Sequence, residues 1–156
     1  MVMQLRRVDL VDLEEILTIE RACFPNPWGR EHLASEIDNG LARFWLCLDE
    51  EGGLAIGFML AWFVASQVEL HKIAVVPTQR RRGLGEAMLD YLVVEARGAG
   101  ADAVHLEVRA SNTAAIRLYE KKGFELGHRR RDYYSSPPED ALCFHLLLPP
   151  GRGGRP

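Results

Sequence analysis

Apolar positions along this chain follow first one period and then another, and the switches between them mark out its elements. Residues 3–8 read as a strand. Asp9 then stands as an N-cap before Leu10, Leu13, Ile16 and Leu17, which share one side of a helix that Pro25 and Pro27 stop. Leu33 and Ile37 predict a second helix, about residues 30–39, closed by Gly40. Two apolar, aromatic-rich runs, 42–49 and 54–65, flank Asp49-Glu50-Glu51-Gly52-Gly53 and read as a hairpin, and a third strand spans 67–76. In that third strand Val68 and Leu70 set one alternation while Ile73 and Val75 sit on the other, which predicts a β-bulge between them. A helix over 83–98, a turn at Gly98 and Gly100, and a strand from Ala103 to Val108 follow. Ser111 is placed to cap a last helix in which Ala115, Leu118 and Tyr119 pack inward and which Gly123 ends.

Between the third strand and its helix lies Ile73-Ala-Val-Val-Pro-Thr-Gln-Arg-Arg-Arg-Gly-Leu-Gly85. Glycines at 83 and 85 let main-chain N–H groups converge on one anion, and the following helix adds its unpaired first-turn N–H groups and the positive end of its dipole. Arg80, Arg81 and Arg82 supply full charges suited to a diphosphate. No Lys-Ser/Thr follows the glycines, as a nucleoside triphosphatase loop requires. Met88 stands where a dinucleotide fingerprint needs its third glycine.

Composition narrows the setting. With 156 residues, 47% of them hydrophobic, the chain is expected to form one domain over 1–148, with 149–156 a disordered tail. Nineteen Lys and Arg against 22 Asp and Glu give a net charge of -3, which does not favour nucleic acid as a partner. Cys23, Cys47 and Cys143 are odd in number and widely spaced, so neither a disulfide framework nor a metal site is expected. The N-terminal residues lack an apolar signal core and no long uncharged run occurs, so the expectation is a cytoplasmic monomer without membrane attachment.

Arg80-x-x-Gly83-x-Gly85 between strand and helix, coupled to Leu106-Glu-Val-Arg-Ala-Ser-Asn-Thr-Ala-Ala-Ile-Arg-Leu-Tyr-Glu-Lys-Lys-Gly-Phe124, resembles the GNAT superfamily of acyl-CoA-dependent N-acyltransferases. Arg129-Arg-Arg-Asp-Tyr-Tyr134 is similar to the RimI-like branch, the ribosomal-protein-alanine N-acetyltransferases. The resemblance spans residue 3 to about residue 148. It implies a mixed α/β fold: a mostly antiparallel twisted sheet of about seven strands, helices on both faces, and splayed strands forming a slot for acetyl-CoA. In that fold the bulged third strand exposes a backbone N–H toward the thioester carbonyl. By the same resemblance Ile73, Ala74 and Val75 offer backbone groups to the pantetheine arm, and Arg81, Arg82, Gly83, Leu84, Gly85 and Glu86 wrap the diphosphate. Asn112 holds the cofactor's arm, Glu107 is the general base and Tyr119 the general acid.

Direct attack of an amine on a thioester asks for such groups on its own account: a neutral nitrogen, an oxyanion donor, and a proton for the departing thiolate. Glu107, on a strand position expected to exclude water, accepts the amine proton; Val75 N–H polarises the carbonyl; Tyr119 serves the sulfur. Plainer readings stand beside these. Asn112 can simply cap its helix, Glu69 rivals Glu107 as base or holds the substrate amine, and Tyr133 and Tyr134 either line a peptide groove or cover the sheet. Arg129–Arg131 reads as a solvated edge, and Phe24-Pro-Asn-Pro-Trp28 as a second groove wall or an anchor between helices. The activity expected is acetyl transfer to the N-terminal alanine of a protein, the eighteenth of the small ribosomal subunit. The alternatives are transfer to a small amine or lysine, and a silent acyl-CoA-binding module.

Overall fold

Ala42–Asp49 and Ala55–Val64 are apolar at almost every position because both faces of the strands they form are covered. In the computed structural model, which describes residues 3–49, 51 and 53–150, the elements run β1 (Met3–Arg7), α1 (Leu13–Cys23), α2 (Arg30–Ile37), β2 (Ala42–Asp49), β3 (Ala55–Val64), β4 (Gln67–Val75), α3 (Leu84–Gly98), β5 (Ala103–Arg109), α4 (Thr113–Lys121), β6 (Glu125–Ser135) and β7 (Pro138–Leu147). The seven strands form one mixed sheet in the order β1-β2-β3-β4-β5-β7-β6. β4 and β5 pair parallel, while β1–β2, β2–β3, β5–β7 and β6–β7 pair antiparallel. Contacts divide the chain into two compact units: residues up to Trp62 with His71–Tyr91, and Phe63–Leu70 with the chain from Leu92 onward. The tail expected over 149–156 lies, from residue 151, outside the described residues.

In the first unit, Phe44, Leu46 and Leu48 of β2 point to one face and pack with Phe58, Leu60 and Ala74 beneath Ile16, Leu17 and Ile19 of α1 and Leu33 of α2. Trp45 points to the other face, where it meets Tyr91 of α3 edge-on with ring centroids 5.7 Å apart. Helices therefore cover both faces here, as expected. The first helix begins later than the sequence pattern indicates. Asp9 precedes a single 3₁₀ turn, Leu10–Asp12, and Leu10 is 63% exposed instead of facing inward. The reason is Asp12, a buried carboxylate that accepts Asp9 N–H at 2.8 Å and two bonds from the Arg6 guanidinium at 2.8 and 2.9 Å. The Arg6 bonds hold the Asp12 carboxyl below its ordinary range.

β4 also departs from expectation. Val68, Leu70 and Ala74 are buried on one phase, and the position between them on that phase is Lys72, so the alternation does not switch at Ile73. What looks like a break in the apolar pattern is a lysine turned inward.

In the second unit, Val104, Leu106 and Val108 of β5 are buried while His105 and Glu107 are exposed. Leu106 pairs with Phe144 and Glu107 with Cys143 across β5–β7. Beside them β6 carries the arginine run, and its register slips between Arg130, opposite Ala141, and Tyr134, opposite Glu139, with Asp132 at φ 51. Four steps along β6 thus face two on β7, a bulge that re-aims the side chains within it. α4 is capped by Asn112, whose side chain accepts Ala115 N–H at 3.2 Å; Ser111, expected in that role, instead donates its backbone N–H to Glu139 at 2.5 Å. The helix closes with Gly123 N–H to Glu120 O and Phe124 N–H to Tyr119 O, both 3.0 Å, and with the Tyr119 and Phe124 rings in contact, a Schellman arrangement.

Candidate active site

The chain leaves β4 through Val76 and a 3₁₀ turn, Pro77–Gln79, before the arginines. Arg80 Nε–H donates to Val75 O at 2.9 Å and ties the turn to the end of β4. Arg82 hydrogen-bonds the Gln79 side chain. Arg81 and Gly83 both take positive φ, 63° and 78°. At Gly83 a Cβ would meet open space, so glycine is required for backbone conformation, not for room. α3 then starts at Leu84, and Ala87 N–H closes its first turn on Gly83 O at 3.0 Å. The N–H groups of Leu84, Gly85 and Glu86 precede any intrahelical acceptor, and a fifteen-residue helix stands behind them. Main-chain donors, a helix N-terminus and adjacent arginines fit a diphosphate. Of the backbone groups expected to meet the pantetheine arm, those of Ile73 and Val75 belong to half-buried residues and that of Ala74 to a buried one.

A group that sequence reasoning missed stands beside this turn. Lys72 Nζ lies 2.5 Å from Glu20 Oε2 and 4.0 and 4.1 Å from the Phe24 and Trp28 ring centroids. Glu20 is fully buried; its Oε2 also accepts Trp28 N–H at 2.8 Å, and its Oε1 has no hydrogen-bond partner among the described residues. Burial pushes the lysine below its ordinary value while the carboxylate partly restores it. The Phe24–Trp28 loop is therefore an anchored segment, fixed by a buried ion pair and two cation–π contacts.

In the second unit, Glu107 and Tyr119 lie on opposite faces of the β5–β7 ladder. Paired residues share a face and neighbours along a strand do not, so Glu107 projects with Cys143, and Leu106 with Phe144. Tyr119 packs on Phe144, ring centroids 6.4 Å apart, and so belongs to the Leu106 face. Burial pushes its phenol up to about 12, which keeps the proton on at any working pH. Glu107 is not excluded from water: 37% of its side chain is exposed, and Arg130 Nε stands 3.4 Å from Oε2. Tyr133 gathers there too, its hydroxyl raised chiefly by the Glu107 charge, while burial and then Glu107 push Tyr134 up to about 12. The two tyrosines meet edge-on at 5.1 Å, with Arg130 5.4 Å over one ring and Arg109 4.2 Å over the other. Glu69, paired with His105 in the β4–β5 ladder, projects on the same face as Glu107. Asn112 uses its side-chain oxygen as the α4 cap, the plainer of the two readings offered for it.

The second unit offers a carboxylate among cations and phenols on one face of the ladder and a protonated phenol on the other; the first offers a main-chain anion cradle at a helix N-terminus. Among the described residues no group of three His, Cys, Asp or Glu side chains is placed to hold a metal ion.

Comparison with known proteins places the chain in a family. The model of the acetyltransferase (GNAT) family matches residues 13–124. Over 143 residues the chain is 36% identical to the [ribosomal protein bS18]-alanine N-acetyltransferase of Escherichia coli (strain K12), covering 90% of this chain and 95% of that protein. The crystal structure of the ribosomal-protein-S18-alanine N-acetyltransferase from Escherichia coli superposes with a TM-score of 0.87 at 32% identity, covering 96% of each chain. Arabidopsis thaliana NAA60 in complex with acetyl-CoA gives a TM-score of 0.83 at 25% identity, covering 94% of this chain and all of that one.

Proposed function

Because this chain belongs to the acetyltransferase (GNAT) family, we propose that it transfers acetyl from acetyl-CoA to the free α-amine of a protein N-terminus, the alanine of ribosomal protein bS18. One observation carries the catalytic assignment: a base and a proton-bearing phenol stand on opposite faces of one ladder, matching a reaction whose two proton events occur on opposite sides of the reacting carbon. The relatives' named substrate supports the choice of peptide.

In this reading the α3 N-terminus holds the diphosphate, with Arg81, Arg82, Gly83, Leu84, Gly85 and Glu86 around it, and Ile73, Ala74 and Val75 bond the pantetheine arm. The amine nitrogen forms a bond to the thioester carbon while Val75 N–H stabilises the oxyanion. Glu107, directly or through a water, receives the proton the nitrogen loses. The C–S bond breaks, and Tyr119 O–H donates to the departing sulfur, which leaves as the thiol of CoA. Glu69, Tyr133 and Tyr134 bound the amine side, and Arg130 orients Glu107. An α-amine of pKa about 7.7–8.0 is roughly a tenth neutral at pH 7, whereas a lysine near 10.4 is neutral in only a few molecules per ten thousand, so an exposed carboxylate suffices for the first substrate and not for the second. Residues 1–148 act as a single catalytic domain, a cytoplasmic monomer; no helix among the described residues is long and apolar enough to cross a membrane.

The test is a peptide panel read by mass spectrometry. A peptide with free N-terminal alanine is expected to be acetylated at its α-amine at least roughly 10²-fold faster than the same peptide blocked at its N-terminus and carrying an internal lysine. Faster turnover of the blocked peptide, or of a free polyamine, overturns the assignment.

A further inference from the structure

Val75 sits between two peptide units that are held in different ways. The unit after it is fixed by hydrogen bonds: Val75 O accepts Arg80 Nε–H at 2.9 Å and Cys23 Sγ–H at 3.4 Å, and Val76 N–H donates to Ile56 O at 2.9 Å. The unit before it lies, in the β3–β4 pair, directly over a glycine. A Cβ built on Gly57 of β3 would stand 2.3 Å from Ala74 O, 3.4 Å from Ala74 C and 3.5 Å from Val75 Cα. The Ala74 carbonyl therefore occupies the volume that any side chain at 57 would fill, and the obstacle is backbone, which cannot rotate aside as a side chain does. Gly57 pairs with Cys47 of β2 in the middle of a buried apolar strand, where glycine weakens the strand unless another backbone approaches closely.

The Ala74–Val75 peptide is trans, so its N–H points opposite to its C=O. With the carbonyl laid over Gly57, Val75 N–H is directed away from β3.

We propose that Gly57 is a positioning residue for acyl transfer: its missing side chain lets the Ala74 carbonyl lie against β3, and this aims Val75 N–H at the thioester oxygen. The proposal rests on the acetyl-CoA reading above and adds a residue that touches neither substrate. Its largest effect falls on the acyl carbonyl, an oxygen that free CoA lacks, while the pantetheine arm that bonds the same backbone is common to both.

The experiment is Gly57→Ala, read in three ways: affinity for desacetyl-CoA, kcat with an alanine-starting peptide, and the ¹³C resonance of bound [1-¹³C]acetyl-CoA. A hydrogen bond to the thioester oxygen draws that resonance downfield in the wild type. The expected result is a kcat lower by about 10²-fold, a loss of desacetyl-CoA affinity much smaller than the loss of kcat, and a bound resonance moved back toward its free position. A folded Gly57→Ala protein with wild-type kcat and the same downfield resonance overturns the proposal. If Gly57→Ala does not fold, the wild-type resonance decides: a bound [1-¹³C]acetyl-CoA signal downfield of its free position is expected from the Val75 N–H bond, and a signal at the free position overturns the proposal. A wild type that binds no acetyl-CoA contradicts the acetyltransferase reading itself, a separate outcome.

Discussion

The turn between β4 and α3 works through its main chain, and the β5–β7 ladder through its side chains. In the first region function depends on what is missing or buried: glycine at 83 because of its φ of 78°, glycine at 57 because a carbonyl fills the space, and a lysine buried against Glu20. In the second, Glu107 projects from a regular ladder and the Tyr119 hydroxyl is carried on a ring packed against Phe124 and Phe144. Substitutions in the first region should therefore cost stability or cofactor affinity. Isosteric substitutions in the second should cost turnover alone.

The strongest test of that contrast is Lys72→Met. It leaves Glu20, fully buried, as an uncompensated charge, and is expected to lower unfolding free energy by about 3–5 kcal/mol in denaturant titration. Adding Glu20→Gln should recover most of the loss. Full stability in the single variant would show that the pair is not structural. Gly85→Val comes next: a branched side chain in the first turn of α3 should weaken acetyl-CoA binding by about 10²-fold in calorimetry, the scale of one or two lost charge-assisted bonds. Valine's helix propensity exceeds glycine's, so folding should not suffer. Equal affinity in the folded variant contradicts the anion cradle.

The smallest expected effect is at Asp12, which belongs to neither region. Its carboxyl is depressed when folded, so its stabilisation is complete above the ordinary aspartate range near 3.9 and disappears as pH falls through the folded value. Asp12→Asn should cost about 1–2 kcal/mol at neutral pH, and the gap from wild type should close in acid. A gap independent of pH assigns the loss to packing.

The legibility of these parts in sequence follows the same division. The glycine turn is written in residue letters, because a missing Cβ and a run of arginines are themselves the signal. The β5 strand was equally readable, but Glu107, expected at a position that excludes water, lies outward with His105. The roles of Glu107 and Tyr119 came from family resemblance, since neither residue is distinctive locally. The phase break between Leu70 and Ile73 hides Lys72, whose partner lies 52 residues away, and no local period reports such a pairing. The arginine run reads as a solvated edge, and nothing local reports that Arg130 stands beside Glu107 across the sheet. Ser111 and Asn112 are both good caps, and the choice was made by Glu139, which takes the Ser111 N–H from across the ladder. Gly57 sat unnoticed in an apolar run, where only the approach of Ala74 gives it meaning.

The two-face assignment is most directly tested by comparing the pH–rate profiles of Glu107→Gln and Tyr119→Phe. Glu107→Gln should lower kcat by roughly 10²-fold at neutral pH with acetyl-CoA affinity intact, and should regain rate as rising pH deprotonates the α-amine near 8 in solution. Tyr119→Phe should lower kcat by about tenfold with no such recovery, because its proton, held to about 12, serves the sulfur and alkali supplies no acid. A Glu107→Gln enzyme as fast as the wild type at neutral pH, with loss appearing on Glu69→Gln instead, would contradict the assignment and move the base to β4.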